Sequence, residues 1–177
     1  MTSSSNIPKR IVELNDNAVS YISQGNHRAA STTLNLALSQ VKLLMEQNAW
    51  RPKEENILPA VYPISYNDIY HRTKHCEGTN VPFFNRAFRM SNIVSSDDQD
   101  RFTAVLLFNL ALVHHDQGIE SGSSNDLVIA MKYYKFALRV INEAGIDMGL
   151  ESLYLLILAI WNNMANIHSF SCNISEA

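Results

Sequence analysis

The sequence predicts an all-α domain made of antiparallel helical hairpins, and three observations lead to this prediction. Apolar residues recur at helical spacing through most of the 177-residue chain. A motif with a bulky residue, an alanine four positions later and a ring three positions further on occurs three times, at Leu14–Tyr21, Leu107–His114 and Trp161–His168. Four of the five prolines fall between residues 48 and 100, where the helical spacing is lost. We therefore expect one domain over residues 1–177, with helical hairpins around a long proline-rich insertion.

The first hairpin is predicted over residues 11–47. Apolar residues follow one helical face from Ile11 to Ile22 and again from Ala30 to Leu44. Gly25-Asn26 lies between the two stretches, and this pair suits the left-handed turn that ends a helix. The alanines allow the two helices to approach closely, while bulky neighbours fill the space beside them.

The irregular insertion is predicted over residues 48–100. Within it, Val81–Met90 is aromatic and partly alternating, which is typical of a short strand or hairpin. The simpler expectation is that the insertion only connects two hairpins. The alternative is that it folds back against the helices, or that Phe83, Phe84 and Phe88 form a contact surface of their own.

A second hairpin is predicted over residues 101–143 and an incomplete third repeat over residues 150–177. Ser96 and Gln99 have capping-box spacing before the first of these helices, which should end near Gln117. The polar stretch Glu120–Asn125 is predicted as a loop, with Asp126 as the cap of the following helix. The last helix should run from about residue 150 to Phe170, with a break at Cys172-Asn173.

The motifs and their spacing resemble the tetratricopeptide repeat, in which W-x2-L-G-x2-Y on a first helix is followed by A-x3-F on a second. Leu14 and Ala30 are 16 positions apart, as in that family, and the third motif keeps the same spacing to Ala177. Leu107 and Ala130 are 23 positions apart, which is 16 plus an insertion of 7 in the polar stretch. The resemblance covers residues 11–47 and 102–177 and implies TPR-like hairpins, as a fragment of an α-solenoid.

In that family the first helices line a concave groove that holds an extended peptide or a partner helix. Carried over by position, the resemblance gives an apolar floor with asparagines, whose amides can hydrogen-bond a peptide backbone. Phe108 and Leu112 have a second interpretation as plain core residues. No lysine or arginine occupies the positions that grip chaperone C-terminal carboxylates in one subclass, so we expect no binding of such tails. The predicted partner-binding groove consists of Val19, Ile22, Phe108, Asn109, Leu112, His115, Asn162 and Asn166, with Asn15 and Asn163 beside them.

Composition excludes several other classes of function. The net charge is -3, so the chain has no basic surface for nucleic acid or for an anionic membrane. The longest apolar run, Leu153–Trp161, has nine residues, whereas a transmembrane helix needs about 20. Only two cysteines are present, far fewer than a disulfide framework needs, which favours the cytoplasm or nucleus.

The sequence gives little support for an enzyme. His71, His75 and Cys76 form the best metal-like cluster, but zinc sites usually use three or four protein ligands and no second cluster follows. We therefore expect a non-catalytic protein–protein interaction module or scaffold without a cofactor. The alternatives are a recruiting or regulatory fragment of a larger enzyme or complex and, third, a metal-dependent enzyme. The incomplete C-terminal repeat suggests either a cap whose apolar residues all face inward or a fragment whose remainder, or another molecule such as a second copy of the chain, covers them.

Overall fold

A computed structural model describes residues 7–48, 61–63, 83–90, 99–143 and 151–175 of the chain. This part of the protein is mostly helical, as the sequence predicts, with one small two-stranded sheet. The elements in chain order are α1 (Ile7–Ser23), α2 (His27–Asn48), β1 (Val61–Pro63), β2 (Phe88–Met90), α3 (Gln99–Ser121), α4 (Ser124–Glu143) and α5 (Glu151–Ser175). Ser96, the predicted cap before α3, lies outside the described residues.

The turn between α1 and α2 forms at the predicted glycine. Gly25 has a φ of 70°, and its N–H bonds to the carbonyl of Ile22 at 3.0 Å. The next N–H, from Asn26, reaches the carbonyl of Tyr21 at 2.9 Å, which completes a Schellman motif. The Asn26 side chain then accepts the N–H of Ala29 at 3.2 Å and caps α2. Glycine therefore ends α1 by adopting the left-handed conformation, and asparagine begins α2 by capping its first turn.

The turn between α3 and α4 differs from the prediction. The stretch Glu120–Asn125 is not a loop, because α3 continues to Ser121 and α4 already begins at Ser124. Gly122, with a φ of 70°, makes the turn. The cap is Ser123, whose hydroxyl accepts the N–H of Asp126 at 3.3 Å, so the prediction of Asp126 as the cap is wrong.

The seven inserted residues of the second hairpin lengthen both of its helices. Gly25 follows Leu14 by 11 positions, whereas Gly122 follows Leu107 by 15, so α3 gains four residues before the turn. The second-helix alanine follows the turn glycine by five positions in the first hairpin and by eight in the second, so α4 gains three. An α-helix has 3.6 residues per turn. Each helix therefore gains about one turn and keeps the same face toward its partner.

The predicted small residues lie at the helix crossings. The two hairpins bury the same four positions of their second helices, 30, 34, 37 and 41 in α2 and 130, 134, 137 and 141 in α4. Each set has the order small, large, small, large. The crossing alanines are fully buried in both hairpins, at Ala18, Ala30, Ala37, Ala111, Ala130 and Ala137.

Gly118 marks a close contact between α3 and α4. A Cβ atom at this position would lie 2.8 Å from Cδ2 of Leu127 and 3.1 Å from its backbone nitrogen. Gly118→Ala should therefore lower the free energy of unfolding by about 1–2 kcal/mol, although alanine gains about 1 kcal/mol in helix propensity. Urea denaturation of both proteins measures the difference.

A double-mutant cycle provides the control for this prediction. In a Leu127→Ala background the closest opposing atoms of that side chain are gone and only the 3.1 Å contact with the backbone nitrogen remains, so Gly118→Ala should cost less there. If Gly118→Ala stabilises the protein in its native background, the close contact does not constrain the hairpin.

Helix α5 is continuous to Ser175, so the predicted break at Cys172-Asn173 is wrong. No glycine stands there to favour a left-handed turn, and the helix simply continues. The ring of the third motif, His168, is exposed and does not pack in the core. Its counterpart His114 is half-buried and stacks on Tyr133, with ring centroids 5.8 Å apart.

The small sheet places part of the insertion among the helices. β1 and β2 are antiparallel, with Val61 opposite Met90 and Pro63 opposite Phe88, so the strand predicted within Val81–Met90 is present. β2 packs against α1 and α3, and β1 packs against α5. Among the described helices, none combines the length and the apolar character needed to cross a lipid bilayer.

Candidate functional site

Residues 83–90, here called the inner segment, run across the three helices that carry the repeated motif. The first five residues have no regular secondary structure, and the last three form β2. Ala87, Phe88 and Met90 are buried. The inner segment therefore folds back against the helices that were predicted to line a groove, which is one of the roles weighed for the insertion.

Asn109 of α3 binds both backbone groups of Phe88. Its Oδ1 accepts the N–H of Phe88 at 2.8 Å, and its Nδ2 donates to the carbonyl of the same residue at 2.8 Å. The second proton on Nδ2 goes to Oδ1 of Asn15 at 2.8 Å, and Asn15 in turn donates to the Phe88 carbonyl at 3.0 Å. All three residues are fully buried, so these bonds satisfy groups that water does not reach.

Asn163 of α5 binds Phe84 in the same way. Its Oδ1 accepts the N–H of Phe84 at 2.6 Å, and its Nδ2 donates to the Phe84 carbonyl at 2.9 Å. The Nδ2 group also donates to the hydroxyl of Tyr134 at 2.8 Å. Two side-chain amides on neighbouring helices thus hold the backbone of the inner segment at points four residues apart.

The same position of the repeated motif faces the inner segment in all three helices. This position lies two residues after the first residue of the motif, and it holds Asp16 in α1, Asn109 in α3 and Asn163 in α5. Asp16 forms an ion pair with Arg89. The Oδ1 atom of Asp16 lies 3.1 Å from Nη1 of Arg89, and both side chains are partly exposed. The repeat therefore presents two amides to the backbone and one carboxylate to a cationic side chain.

Aromatic rings fill the space between the inner segment and the helices. The rings of Phe84 and Phe88 stack with centroids 5.6 Å apart, and Phe88 meets Phe108 edge-on at 5.0 Å. Phe108 then contacts Tyr134 at 5.6 Å. Edge-to-face and stacked pairs at these distances add stability beyond the burial of apolar area. The apolar contacts of the site therefore come equally from the helices and from the segment they hold.

His115 joins this aromatic cluster as a buried neutral imidazole. Its ring lies 4.5 Å from that of Phe83, its Nε2 is 3.1 Å from Oδ1 of Asn166, and its Nδ1 is 3.4 Å from the hydroxyl of Tyr134. If the proton is on Nε2, that nitrogen donates to Oδ1 of Asn166 and Nδ1 is free to accept. The Tyr134 hydroxyl can then donate to Nδ1 and accept from Nδ2 of Asn163, so both ring nitrogens and the hydroxyl have partners. Desolvation by burial lowers the pKa of His115 to about 4, outweighing the opposing bond to Asn166. Burial also raises the pKa of Tyr134.

Among the residues predicted to line a groove, Asn109 hydrogen-bonds the inner segment, and the rings of Phe108 and His115 pack against it. Phe108 and Leu112 are core residues, which is one of the two roles weighed for them. Sequence reasoning missed the part played by Asp16 and by Tyr134. The position of Asp16 in the repeat, equivalent to that of Asn109, is the signal that could have found it. Of the eight predicted groove residues, two are half-buried, Ile22 and Asn162. The other six are buried: Val19, Phe108, Asn109, Leu112, His115 and Asn166.

Asn109→Ala should release the inner segment and lower the free energy of unfolding by about 2 kcal/mol. The substitution leaves the buried N–H of Phe88 without a partner, and an unsatisfied buried donor costs about 1–3 kcal/mol. Urea denaturation gives the stability, and limited proteolysis within residues 83–90 reports the release. Asn35→Ala is the matched control, since that exposed amide bonds only within its own helix. An equal, small effect for both variants would show that the amide does not hold the segment.

A second polar cluster lies where the start of α2 meets α3. Nε2 of His27 is 3.0 Å from Oε2 of Glu120 and 3.8 Å from Oδ2 of Asp116. The three ligand atoms lie within 4.8 Å of one another beside an open depression of about 570 Å³. Two carboxylates at a helix N-terminus are also favourable without a metal, because they face the positive end of the helix dipole. The cluster predicted from His71, His75 and Cys76 lies outside the described residues.

The groups that face the inner segment are amides, aromatic rings and one carboxylate. Amides complement the peptide backbone, rings bury apolar side chains, and the carboxylate selects a cation. This set is suited to holding a polypeptide segment that is not helical. Comparison of the chain with protein-family models, with curated proteins and with solved structures found no match.

Proposed function

We propose that this protein is a non-catalytic protein–protein interaction module of tetratricopeptide-like hairpins, acting in the cytoplasm, which binds an extended segment of a partner. One observation carries the proposal, namely that Asn109 and Asn163 each bind both backbone groups of one residue in a non-helical segment. Bonds to the backbone do not depend on the identity of the bound residue. The same amides can therefore receive a segment from another protein.

The inner segment indicates the chemistry that such a partner needs. Phe84 and Phe88 supply two aromatic rings four positions apart, and Arg89 supplies a cation for Asp16. The ligand class is thus an extended peptide with two aromatic residues at this spacing and a basic residue directly after the second.

The inner segment is also a competitor for the partner. When a site is open in only a fraction of the molecules, the apparent dissociation constant is the intrinsic constant divided by that fraction. The protein should therefore bind weakly until the inner segment leaves. The segment belongs to the same chain as the helices that hold it, so it rebinds quickly once the partner dissociates.

A peptide added in trans tests the proposal. The probe is the acetylated and amidated octapeptide of residues 83–90, Phe-Phe-Asn-Arg-Ala-Phe-Arg-Met, with a fluorescent label. In the chain, Phe84→Ala weakens the internal competitor at a half-buried position. Fluorescence anisotropy should show that this variant binds the octapeptide at least tenfold more tightly than the wild-type chain does.

Two controls make the outcome decisive. An octapeptide that carries alanine in place of both Phe84 and Phe88 should not bind. A chain with Phe136→Ala, which alters an exposed ring on α4, should behave like the wild type. If the Phe84→Ala chain keeps its fold by circular dichroism and still does not bind the octapeptide at millimolar concentration, the inner segment is a permanent part of the core and the proposal fails.

A further inference from the structure

The outer face of α5 carries a stripe of exposed apolar side chains. Tyr154, Leu158 and Trp161 are 47%, 64% and 57% exposed, and Ala165 and His168 beyond them are exposed as well. Their spacings of 4, 3, 4 and 3 residues place all five on one side of the helix. This stripe is here called the α5 outer face. It lies away from the inner segment, which contacts α5 through Asn163.

The repeated motif shows which faces of α1 and α3 correspond to it. Leu158 stands three residues before the first residue of its motif, and so do Ile11 in α1 and Ala104 in α3. Ile11 and Ala104 are both 0% exposed, whereas Leu158 is 64% exposed. The alanine of the motif shows the same contrast, because it is fully buried in α1 and α3 but exposed at Ala165.

Helices α1 and α3 each have the second helix of their own hairpin packed along them. α2 packs along α1, and α4 packs along α3. Each of these covering helices presents the order small, large, small, large at spacings of 4, 3 and 4 residues, with Ala30, Leu34, Ala37 and Val41 in α2 and Ala130, Tyr134, Ala137 and Ile141 in α4. The two hairpins of this chain thus show, twice, what kind of surface covers this face of a motif-bearing helix.

We propose that the α5 outer face docks an amphipathic α-helix of a partner protein. That helix carries small residues at two positions seven apart, with large apolar residues four positions after each. It lies antiparallel along α5, as α2 lies along α1, and its first small residue meets α5 near Ala165. Tyr154 and His168, at the two ends of the α5 outer face, lie beside the docked helix. This site is separate from the one proposed for extended peptides and does not depend on it.

The probe for this site is a synthetic peptide of residues 123–144, which contains α4 and its cap. The peptide has no tryptophan, and the chain has only Trp50 and Trp161. In a Trp50→Phe chain, tryptophan emission therefore reports on the α5 outer face alone. Titration should give a saturable shift of Trp161 emission to shorter wavelength at one peptide per chain.

Variants on both sides of the contact test its location. In the chain, Leu158→Asp changes an exposed residue and should leave the melting temperature unchanged while weakening binding at least tenfold. In the peptide, leucine at both Ala130 and Ala137 should weaken binding to a similar degree, because it blocks close approach. A peptide that merely replaced α4 in its own hairpin would bind the Leu158→Asp chain as well as the wild type.

Two outcomes overturn the proposal. One is an unchanged Trp161 emission up to millimolar peptide. The other is concentration-dependent dimerisation of the wild-type chain in sedimentation velocity that Leu158→Asp abolishes, which would make a second copy of this chain the occupant.

Discussion

Phe88→Ala should lower the free energy of unfolding by about 3–5 kcal/mol, the range observed for removing a buried phenylalanine. Phe88 is fully buried, its ring packs on Phe84 and Phe108, and its backbone is held by Asn109 and Asn15. Its loss therefore leaves a cavity between the inner segment and two helices. Urea denaturation followed by circular dichroism measures the change.

Phe136→Ala is the matched control for this substitution. Phe136 lies on the surface of α4 and is exposed, with Arg139 over its ring. Its removal should cost less than about 1 kcal/mol. A similarly small cost for Phe88→Ala would mean that the inner segment is only loosely attached. If Phe88→Ala instead lowers the free energy of unfolding strongly, a partner that displaces the inner segment must supply an equivalent ring.

Acidification should destabilise the protein through His115. The pKa of His115 is about 4 in the folded protein and about 6.5 in the unfolded chain, so the unfolded state binds the proton first as the pH falls. The contribution of this group is fully present above pH 6.5 and is lost progressively down to about pH 4. The difference in pKa corresponds to about 3 kcal/mol, to the order of magnitude. Urea unfolding at intervals from pH 8 to pH 4 measures this loss.

His115→Gln separates this effect from other titrating groups. Glutamine keeps an amide near Asn166 and Tyr134 but does not titrate, so the stability difference between wild type and variant should shrink as the pH falls from 6.5 to 4. All other titrating groups are the same in both proteins, so their contributions cancel from this difference. A difference that stays constant across this range would show that His115 does not resist protonation.

Local patterns were enough to predict the helical hairpins. The alternation of small and large residues in α2 and α4 depends only on neighbours within the same helix, and these residues are buried as expected. The asparagines were predicted to hydrogen-bond the backbone of a partner peptide, because a side-chain amide both donates and accepts. In the structure Asn109 and Asn163 bind backbone groups of the same chain, and binding of a partner stays a prediction.

The path of the inner segment could not be read in the same way. An extended stretch has no helical period, and its partners are distant in sequence. Asn15 lies 73 positions before Phe88, and Asn163 lies 79 positions after Phe84. Composition misled the prediction at Glu120–Asn125 for a related reason, since one glycine suffices for a turn and the polar residues beside it can continue a helix.

The extra turn on each helix of the second hairpin makes these helices longer than the first hairpin's spacing would. At a rise of 1.5 Å per residue, α3 projects about 6 Å farther than a helix of the first hairpin's length would. Glu120 belongs to the added turn, and its carboxylate lies 3.0 Å from His27 at the start of α2. A change of hairpin length by whole turns thus preserves the interior while it brings a carboxylate to His27, a residue that lines the open depression together with Gly25, Arg28 and Gln117.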